Sequence, residues 1–271
     1  MAAKKTQSNR KPKSKTRATM PSPSEPRLLG KVAVVTGGSR GIGQAIARVL
    51  AAEGCSVIIT GRDRATLAKS AECISNSLPR IFPANKRPQI VAEACDVRDP
   101  KSVSSLFATV KQRFGRLDVL VNNAGITQPT VTVEETTLEL WRDVIDTNLT
   151  GIFLCTRAAL PMMRAGATIV NNLSAAAKRV FPNCATYTAA KRGALGFTLS
   201  LREELIPRGI RVMALMPGAT ATDMWDQIMP NAPRERMMEV ESVAQAVLYA
   251  VLLPPSANLS ELLLEPTRGA P

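Results

Sequence analysis

The feature that most constrains the fold is the alternation of short apolar runs with amphipathic stretches along most of the chain. The apolar runs are rich in β-branched residues, as buried strands are, and the stretches between them carry apolar residues at helical spacing. The predicted strands lie at 32–35, 56–60, 90–94, 119–122, 168–173, 211–215 and 261–264, and the predicted helices at 42–53, 64–77, 100–114, 138–163, 185–206 and 241–253. This alternation predicts an α/β fold, a doubly wound parallel sheet of about seven strands flanked by helices.

A glycine-rich turn joins the first predicted strand to the first predicted helix. Its sequence is Thr36-Gly-Gly-Ser-Arg-Gly-Ile-Gly43, and its spacing is G-x-x-x-G-x-G rather than the G-x-G-x-x-G of the common dinucleotide fingerprint. A backbone without Cβ atoms turns tightly and approaches a pyrophosphate, whose charge is met by the helix N-terminus. The turn therefore predicts a Rossmann-like sheet that binds a dinucleotide at the carboxyl ends of its strands, where strand order reverses.

The chain contains no histidine, so an acid–base catalyst that works near neutral pH must be another side chain with a shifted pKa. Tyr187 and Lys191 lie four residues apart, on one face of a predicted helix, and Ser174 precedes the tyrosine by thirteen residues. A free tyrosine titrates near ~10, and a nearby ammonium lowers that pKa by stabilising the phenolate. Lowering it by about 3 units requires roughly 4 kcal/mol. We therefore expect Tyr187 to transfer the proton, with its pKa lowered by Lys191, a bound cationic nicotinamide ring and hydrogen bonding together.

Together these motifs resemble the short-chain dehydrogenase/reductase family, and the resemblance covers roughly 30–266. Further blocks match the family in order and spacing: Asp96 resembles its adenine-contacting Asp, Asn122-Asn-Ala-Gly125 its fourth-strand motif, Asn148 its catalytic-helix Asn, and Pro217-Gly218 with Thr220 the segment that covers the nicotinamide. The resemblance implies one catalytic domain over 28–271.

The resemblance also implies hydride transfer between a nicotinamide cofactor and a carbonyl or alcohol carbon. In the family pattern Ser174 holds the substrate oxygen and Tyr187 passes a proton to or from it, so that both contact the substrate. Lys191 additionally grips the nicotinamide ribose, and Asn148 positions a water in the proton relay. The implied cofactor contacts are Gly37, Ser39, Arg40, Gly41, Ile42, Gly43, Arg62, Asp96, Val97, Asn123, Ala124, Gly125, Tyr187, Lys191, Pro217, Gly218 and Thr220.

The charge at the end of the second strand indicates which dinucleotide is bound. Domains that select NAD place an acid there to bind the 2′-hydroxyl, whereas this strand ends in Gly61-Arg62. Arg62 and Arg40 are placed to meet the 2′-phosphate of NADP, since guanidinium groups suit phosphate geometry. The family's NADP-preferring members carry basic residues at these two positions. We therefore predict NADP(H) rather than NAD(H), and we expect the adjoining Asp63 to lie at the start of the next helix.

The sequence constrains the identity of the substrate less than that of the cofactor. We expect the pocket to be bounded by Thr127, Gln128, 175–183 and 220–238. The last segment contributes the apolar residues Met224, Trp225, Ile228, Met229, Met237 and Met238. They form either an adaptable surface for a substrate with apolar bulk or the ordinary packing of a lid. Arg234 and Arg236, in the same segment, either contact an anionic substrate or face water. The alternatives to a general carbonyl reductase are a 3-oxoacyl thioester reductase and a catalytically silent, redox-sensing binding protein.

Asn172 departs from the family pattern, since it is a polar residue in an otherwise apolar strand. A buried amide requires hydrogen-bond partners. Two explanations remain open from the sequence, a polar network behind the site and solvation at the end of the strand.

Residues 1–27 differ from the rest of the chain, because they contain eight Lys or Arg residues and one acid. Rich in Ser, Thr and Pro and poor in large apolar residues, they are predicted to form a disordered tail. The tail is either a solubilising segment or a polybasic arm that makes weak anionic contacts. We expect a cytoplasmic protein without a membrane span, and plastid or other organelle targeting by this segment is the alternative.

The five cysteines are odd in number and form no CxxC pair. Together with the absence of histidine, this pattern predicts neither a disulfide framework nor a metal site. The expected partners are a small-molecule carbonyl or alcohol substrate and, by analogy with the family, further copies of the chain in a homodimer or homotetramer. No nucleic-acid partner is expected for the domain.

Overall fold

A sheet of seven parallel strands organises residues 26–79 and 81–269, which are the residues that the computed structural model describes. The strands are β1 (Val32–Val35), β2 (Ser56–Gly61), β3 (Ile90–Ala94), β4 (Val119–Asn122), β5 (Thr168–Asn172), β6 (Arg211–Pro217) and β7 (Glu261–Leu264). Their order in the sheet is β3-β2-β1-β4-β5-β6-β7, so strand order reverses between β1 and β4. The predicted Rossmann-like, doubly wound sheet is confirmed.

The helices in the described part of the chain are α1 (Gly41–Ala52), α2 (Arg64–Asn76), α3 (Pro100–Phe114), α4 (Leu138–Ile145), α5 (Gly151–Ala159), α6 (Ala185–Leu205), α7 (Trp225–Ile228) and α8 (Val240–Leu252). Their ends are set by local chemistry. Asp63 caps α2, where its carboxylate accepts the backbone N–H of Thr66 at 2.7 Å. Asp99 caps α3 in the same way, and Gly115 ends that helix in the left-handed conformation.

The stretch 138–163, predicted as one helix, is interrupted in the structure. Between α4 and α5 the backbone forms a π-helical segment, Asp146–Thr150, and a 3₁₀ turn, Leu160–Met162, follows α5. Segments of π-helix are rare and occur frequently at functional sites. This one contains Asn148, whose side chain is fully buried.

Two hydrophobic cores cover the two faces of the sheet. In β1, Ala33 and Val35 face a core shared with α1, α2 and α8, whereas Val32 and Val34 face a core shared with α3, α5 and α6. Strands β1, β4 and β5 are buried along their whole length, which explains their continuous apolar runs. Each fully buried Val or Ile side chain contributes about 1.5–3 kcal/mol, so the central strands hold the site on a rigid base.

The N-terminal edge of the described region is tied to the end of α1. The backbone N–H of Arg27 and its guanidinium both donate to the Glu53 carboxylate, and the Leu28 N–H donates to the Glu53 carbonyl at 2.8 Å. Residues 1–25, which hold most of the predicted basic tail, lie outside the described residues. None of the helices within 26–79 and 81–269 is long and apolar enough to cross a membrane.

Candidate active site

The carboxyl ends of the strands enclose a cleft of about 710 Å³, a volume within the usual range for small-molecule and cofactor sites. It lies across the point where strand order reverses. The cleft is lined by each residue predicted to be catalytic or to bind the cofactor: Asn148, Ser174, Tyr187, Lys191, Gly37, Ser39, Arg40, Gly41, Ile42, Gly43, Arg62, Asp96, Val97, Asn123, Ala124, Gly125, Pro217, Gly218 and Thr220. The fold thus brings these distant segments together.

The glycine turn between β1 and α1 has a tight backbone path that Cβ atoms would not permit. Gly41 has a φ of +56°, which side chains rarely adopt, and a Cβ on Gly43 would lie 2.3 Å from the Gly37 carbonyl oxygen. Arg40, the N-cap residue of α1, makes no side-chain capping hydrogen bond. The first N–H groups of α1 therefore have no side-chain partner and point their partial positive charge at the cleft. This arrangement fits the phosphates of a dinucleotide.

Basic side chains border the cleft beyond the end of β2. Arg62 is exposed there, and Gly61 supplies no carboxylate to compete for a ribose hydroxyl. Arg40 lies across the turn, where its Nη1 is 3.8 Å from Asp223, a contact between two exposed groups that contributes little. Both predicted phosphate-binding arginines therefore sit at the same end of the cleft.

Asp96 is hydrogen-bonded by Arg98, a residue that no motif of the sequence singles out. Its carboxylate accepts hydrogen bonds from Arg98 Nε at 3.0 Å and Nη2 at 2.7 Å, and Arg98 also pairs with Asp143. The Arg98 guanidinium holds the pKa of Asp96 below its ordinary value. Asp96 is thus an ionised acceptor of fixed orientation, and Arg98 joins it in lining the cleft.

Tyr187, Lys191 and Ser174 converge at the other end of the cleft. Lys191 is 4% exposed, and its Nζ lies 5.5 Å from the centre of the Tyr187 ring. The same ammonium donates to the Asn172 carbonyl oxygen at 3.4 Å. Ser174 follows β5, and its hydroxyl accepts the Ala176 N–H at 3.1 Å. The expected i, i+4 arrangement of Tyr187 and Lys191 on α6 therefore places both groups beside Ser174.

Burial acts on the pKa values of both Tyr187 and Lys191. Burial raises the pKa of the phenol above its ordinary value, and the Ser174 hydroxyl only partly opposes this effect. Burial also lowers the pKa of Lys191 to about 8, so the ammonium remains mostly protonated at neutral pH. In the protein alone, desolvation of the phenol thus outweighs the effect of its hydrogen bond with Ser174. A further positive charge near the phenol is needed to lower its pKa toward neutral pH.

The Asn148 side chain holds the loop that follows β4. Its Nδ2 donates to the carbonyls of Ile126 at 2.9 Å and Val144 at 3.0 Å, and its Oδ1 accepts the Ile126 N–H at 3.2 Å. Both amide hydrogens are therefore occupied. A water in the predicted relay can be held only by oxygen lone pairs of this residue, as an acceptor.

Asn172 belongs to a polar network rather than to a solvated strand end. It is 8% exposed, and its Nδ2 donates to Asn123 Oδ1 at 2.8 Å. Asn123 in turn donates to the carbonyls of Thr36 at 3.0 Å and Gly37 at 3.1 Å. The Asn172 side chain thus connects β5 to the glycine turn through Asn123, and the Asn172 backbone carbonyl accepts a hydrogen bond from Lys191.

The substrate end of the cleft agrees with the prediction only in part. Apolar side chains line it, namely Phe181, Pro182, Met224, Trp225, Ile228 and Met229, together with Thr127. Gln128, expected at this boundary, instead lies behind the cleft, buried and hydrogen-bonded to backbone. The reason is that its amide accepts the backbone N–H of Tyr187 and donates to the backbone carbonyl of Asn183, which satisfies both ends of the buried amide.

Four other residues that were predicted to bound the substrate pocket do not line the cleft. Met237 packs on Ala219 and Ala232, and Met238 packs against the core shared by α1, α2 and α8. Arg234 donates to the Thr222 carbonyl at 2.6 Å and pairs with Asp226, and Arg236 donates to the Arg268 carbonyl at 3.2 Å. These arginines are thus occupied in holding the lid segment instead of lining the cleft.

Residues 31–233 match the family model described as short chain dehydrogenase. The chain is 38% identical over 242 residues to a 3-oxoacyl-(acyl-carrier-protein) reductase of Synechocystis sp., covering 86% of this chain and 94% of that protein. It is 34% identical over 250 residues to the farnesol dehydrogenase of Aedes aegypti, covering 89% and 97%. The structure resembles that of a short chain dehydrogenase from Burkholderia cenocepacia in complex with NADP, with a TM-score of 0.76, 33% identity and coverage of 88% and 97%.

Proposed function

The chain belongs to the short chain dehydrogenase family, and on that basis we propose that it is an NADP-dependent oxidoreductase that interconverts a ketone or aldehyde and an alcohol. The observation that carries the proposal is the convergence of Tyr187, Lys191 and Ser174 in one cleft with the glycine turn. The cofactor supplies the hydride when bound. The protein supplies the position of the substrate oxygen and the proton.

The roles of the four polar residues follow from their surroundings. Ser174 and Tyr187 hold the carbonyl oxygen between two hydroxyls, which stabilise the negative charge that develops on it as it is reduced. Tyr187 donates the proton and becomes a phenolate, which the Lys191 ammonium stabilises. Asn148 holds the loop after β4 and offers only acceptor lone pairs to a water of the relay.

Cofactor preference is expected to come from Arg40 and Arg62. Charge-assisted hydrogen bonds contribute ~1.5–3 kcal/mol each, so even one such bond to the 2′-phosphate gives a preference of at least about tenfold for NADPH over NADH. The crystallised relative from Burkholderia cenocepacia binds NADP, which supports the same choice.

Gly61→Asp combined with Arg62→Ala is expected to reverse this preference. A Cβ on Gly61 would meet its nearest atom, Ser39 Oγ, at 3.4 Å, which is ordinary van der Waals contact, and an aspartate there would offer a carboxylate to the 2′-hydroxyl. The measurement is kcat/KM for NADPH and NADH in both proteins, with Arg64→Ala on the exposed side of α2 as the control. A wild-type preference for NADH, or unchanged selectivity in the double variant, would contradict the assignment.

The substrate that best fits the cleft is a neutral carbonyl compound with an apolar body. Phe181, Met224 and Met229 are exposed at the mouth, where apolar side chains otherwise lack a partner. Arg179 also lines this end, but it pairs with Glu265. Apart from Lys191, the described residues therefore offer no unpaired cation there for a substrate carboxylate. The match to a farnesol dehydrogenase supports an apolar alcohol or aldehyde.

A series of neutral ketones of increasing alkyl length tests the apolar site. Each buried methylene contributes about 0.8 kcal/mol, so kcat/KM should rise roughly fourfold per carbon until the cleft is filled. The control is the 2-oxo acid of each chain length, which should be a poorer substrate. A carboxylated compound that outperforms its matched ketone would contradict the proposed substrate class.

A 3-oxoacyl thioester is the second candidate substrate, since the chain is 38% identical to a 3-oxoacyl-(acyl-carrier-protein) reductase. Its thioester and acyl chain are neutral and suit the same apolar mouth. Short 3-oxoacyl thioesters assayed beside the ketones separate the two candidates. A kcat/KM more than about tenfold above the length-matched ketone, a difference of about 1.4 kcal/mol, would favour the thioester.

A further inference from the structure

Gln128 is a buried polar side chain that the proposed mechanism does not use. It is 1% exposed, and both ends of its amide are engaged. Its Oε1 accepts the backbone N–H of Tyr187 at 2.8 Å, and its Nε2 donates to the backbone carbonyl of Asn183 at 3.3 Å. We propose that Gln128 is a positioning residue that fixes the beginning of α6 and thereby the place of the Tyr187 phenol. The proposal rests on the proposed role of Tyr187 in proton transfer.

The bond to Tyr187 supplies a cap that α6 otherwise lacks. Tyr187 is the third residue of α6, and the first N–H groups of a helix have no partner within it. Cys184, the N-cap residue, makes no side-chain capping bond. Gln128 reaches in from the loop after β4 and satisfies one of these N–H groups from outside the helix. The residue so held is the one that carries the phenol.

The bond to Asn183 holds the chain just before the helix. Asn183 has a φ of +58°, the only positive φ of a non-glycine residue among those described. Such a conformation persists where surrounding contacts enforce it. The Asn183 carbonyl accepts two hydrogen bonds, from Gln128 and from the Val131 N–H at 3.1 Å. The loop after β4 therefore fixes both the entry to α6 and its first turn.

Gln128 is itself rigidly placed. Two residues before it, Ile126 exchanges hydrogen bonds with Asn148 in both directions, at 3.2 and 2.9 Å. The next residue, Pro129, restricts the backbone of Gln128 to extended conformations. The segment 126–129 thus connects the buried Asn148 to Tyr187, and the glutamine amide is the only side chain of that segment bonded to α6 among the described residues.

Because of its position, Gln128 is expected to affect the chemical step rather than the binding of the cofactor. It lies behind the cleft and does not line it, whereas the glycine turn and Arg62 lie at the opposite end. Loss of the amide should move the phenol relative to the substrate oxygen while leaving the contacts of the glycine turn and of Arg62 with the cofactor unchanged. Since a displacement of about 1 Å can lower a rate 10²-fold, the effect should appear in kcat rather than in the KM for NADPH.

The test compares Gln128→Met, which keeps the length and removes both hydrogen bonds, with Gln128→Asn, which keeps an amide too short to span both partners. Each is expected to lower kcat by roughly 10- to 100-fold, with the KM for NADPH within about twofold of wild type. Gln128→Glu retains an acceptor for the Tyr187 N–H and, when protonated, a donor for the Asn183 carbonyl. Below the pKa of this carboxyl it should recover at least a fivefold higher kcat than the Met variant, a gain of about 1 kcal/mol. Gln112→Met, an exposed position on α3, is the matched control.

Wild-type kcat in the Met or the Asn variant would overturn the proposal, and so would a loss confined to the KM for NADPH. If the Met variant does not fold in a circular dichroism melt, the Asn variant decides by the same criterion. Tyr187→Phe is measured alongside. A Phe variant with normal turnover refutes the proposed function, whereas an inactive Phe variant beside fully active Gln128 variants refutes only the role of Gln128.

Discussion

Tyr187→Phe is expected to lower kcat for carbonyl reduction by roughly 10²–10⁴, the usual contribution of a positioned acid or base. Only one hydroxyl is lost from a half-buried ring, so the fold and the affinity for NADPH should be retained. Steady-state turnover at saturating cofactor, together with NADPH binding followed by fluorescence, separates the chemical defect from a binding defect.

The only other tyrosine supplies the control. Tyr249 lies on α8 with 65% of its surface exposed, far from the cleft, and Tyr249→Phe should leave turnover unchanged. A Tyr187→Phe variant with a rate close to wild type, under conditions where chemistry limits turnover, would show that another group donates the proton.

Lys191→Ala is expected to have two effects, since its ammonium serves the phenol and the proposed ribose site. Removing a positive charge next to a phenolate destabilises the charged form, so the pKa of Tyr187 rises and alcohol oxidation, which needs the phenolate, shifts to higher pH. An opposite charge at this distance typically shifts a pKa by about 1–3 units. The KM for NADP should rise as well, because the ribose hydroxyls lose their donor.

The measurement is the pH profile of kcat for alcohol oxidation at saturating NADP, with Lys69→Ala on the exposed face of α2 as the control. Saturation removes the contribution of cofactor affinity. An unchanged profile with only a raised KM would limit Lys191 to cofactor binding, and the role in shifting the phenol pKa would be wrong.

The sheet was predictable because its central strands are buried on both faces and their apolar runs are short and bounded by polar or glycine residues. The gathering of the predicted site residues in one cleft was predictable for a related reason, since parallel strands bring their carboxyl ends to one edge. The glycine turn, Arg62, Asp96, Asn123 and Ser174 lie just after the ends of strands, whereas Asn148, Tyr187 and Lys191 are carried to the cleft by helical segments. Residues such as Gly43 and Ser174 therefore line one cleft although 131 positions separate them in the sequence.

The structure differs from the predictions made from the sequence where contacts between distant segments determine the local conformation. The π-helical segment at Asn148 has no periodicity that distinguishes it from the helices on either side. Gln128 lies in a loop, and no local pattern shows that its amide will turn inward to cap α6 rather than face the cleft. Arg179 pairs with Glu265, which lies 86 positions further along the chain. No local pattern in the sequence indicates that this guanidinium is paired with a carboxylate.

The shift of the Tyr187 pKa illustrates the same limit in energetic terms. The spacing of Tyr187 and Lys191 correctly places an ammonium near the phenol, but it contains no information on how far both groups are desolvated. In the structure burial dominates for each, raising the pKa of the tyrosine and lowering that of the lysine. The oxidised nicotinamide ring carries the additional positive charge that would favour the phenolate in the oxidation direction.

The most direct test of the proposed activity is transfer of deuterium from NADPH that is deuterated at both C4 positions of the nicotinamide. With neutral ketones or 3-oxoacyl thioesters, we predict one deuterium on the carbinol carbon for each NADPH consumed, at a rate that falls at least 10²-fold in Tyr187→Phe. NADPH that binds tightly yet transfers no deuterium to any of these carbonyl compounds would contradict the proposal and identify the chain as a redox-sensing binding protein.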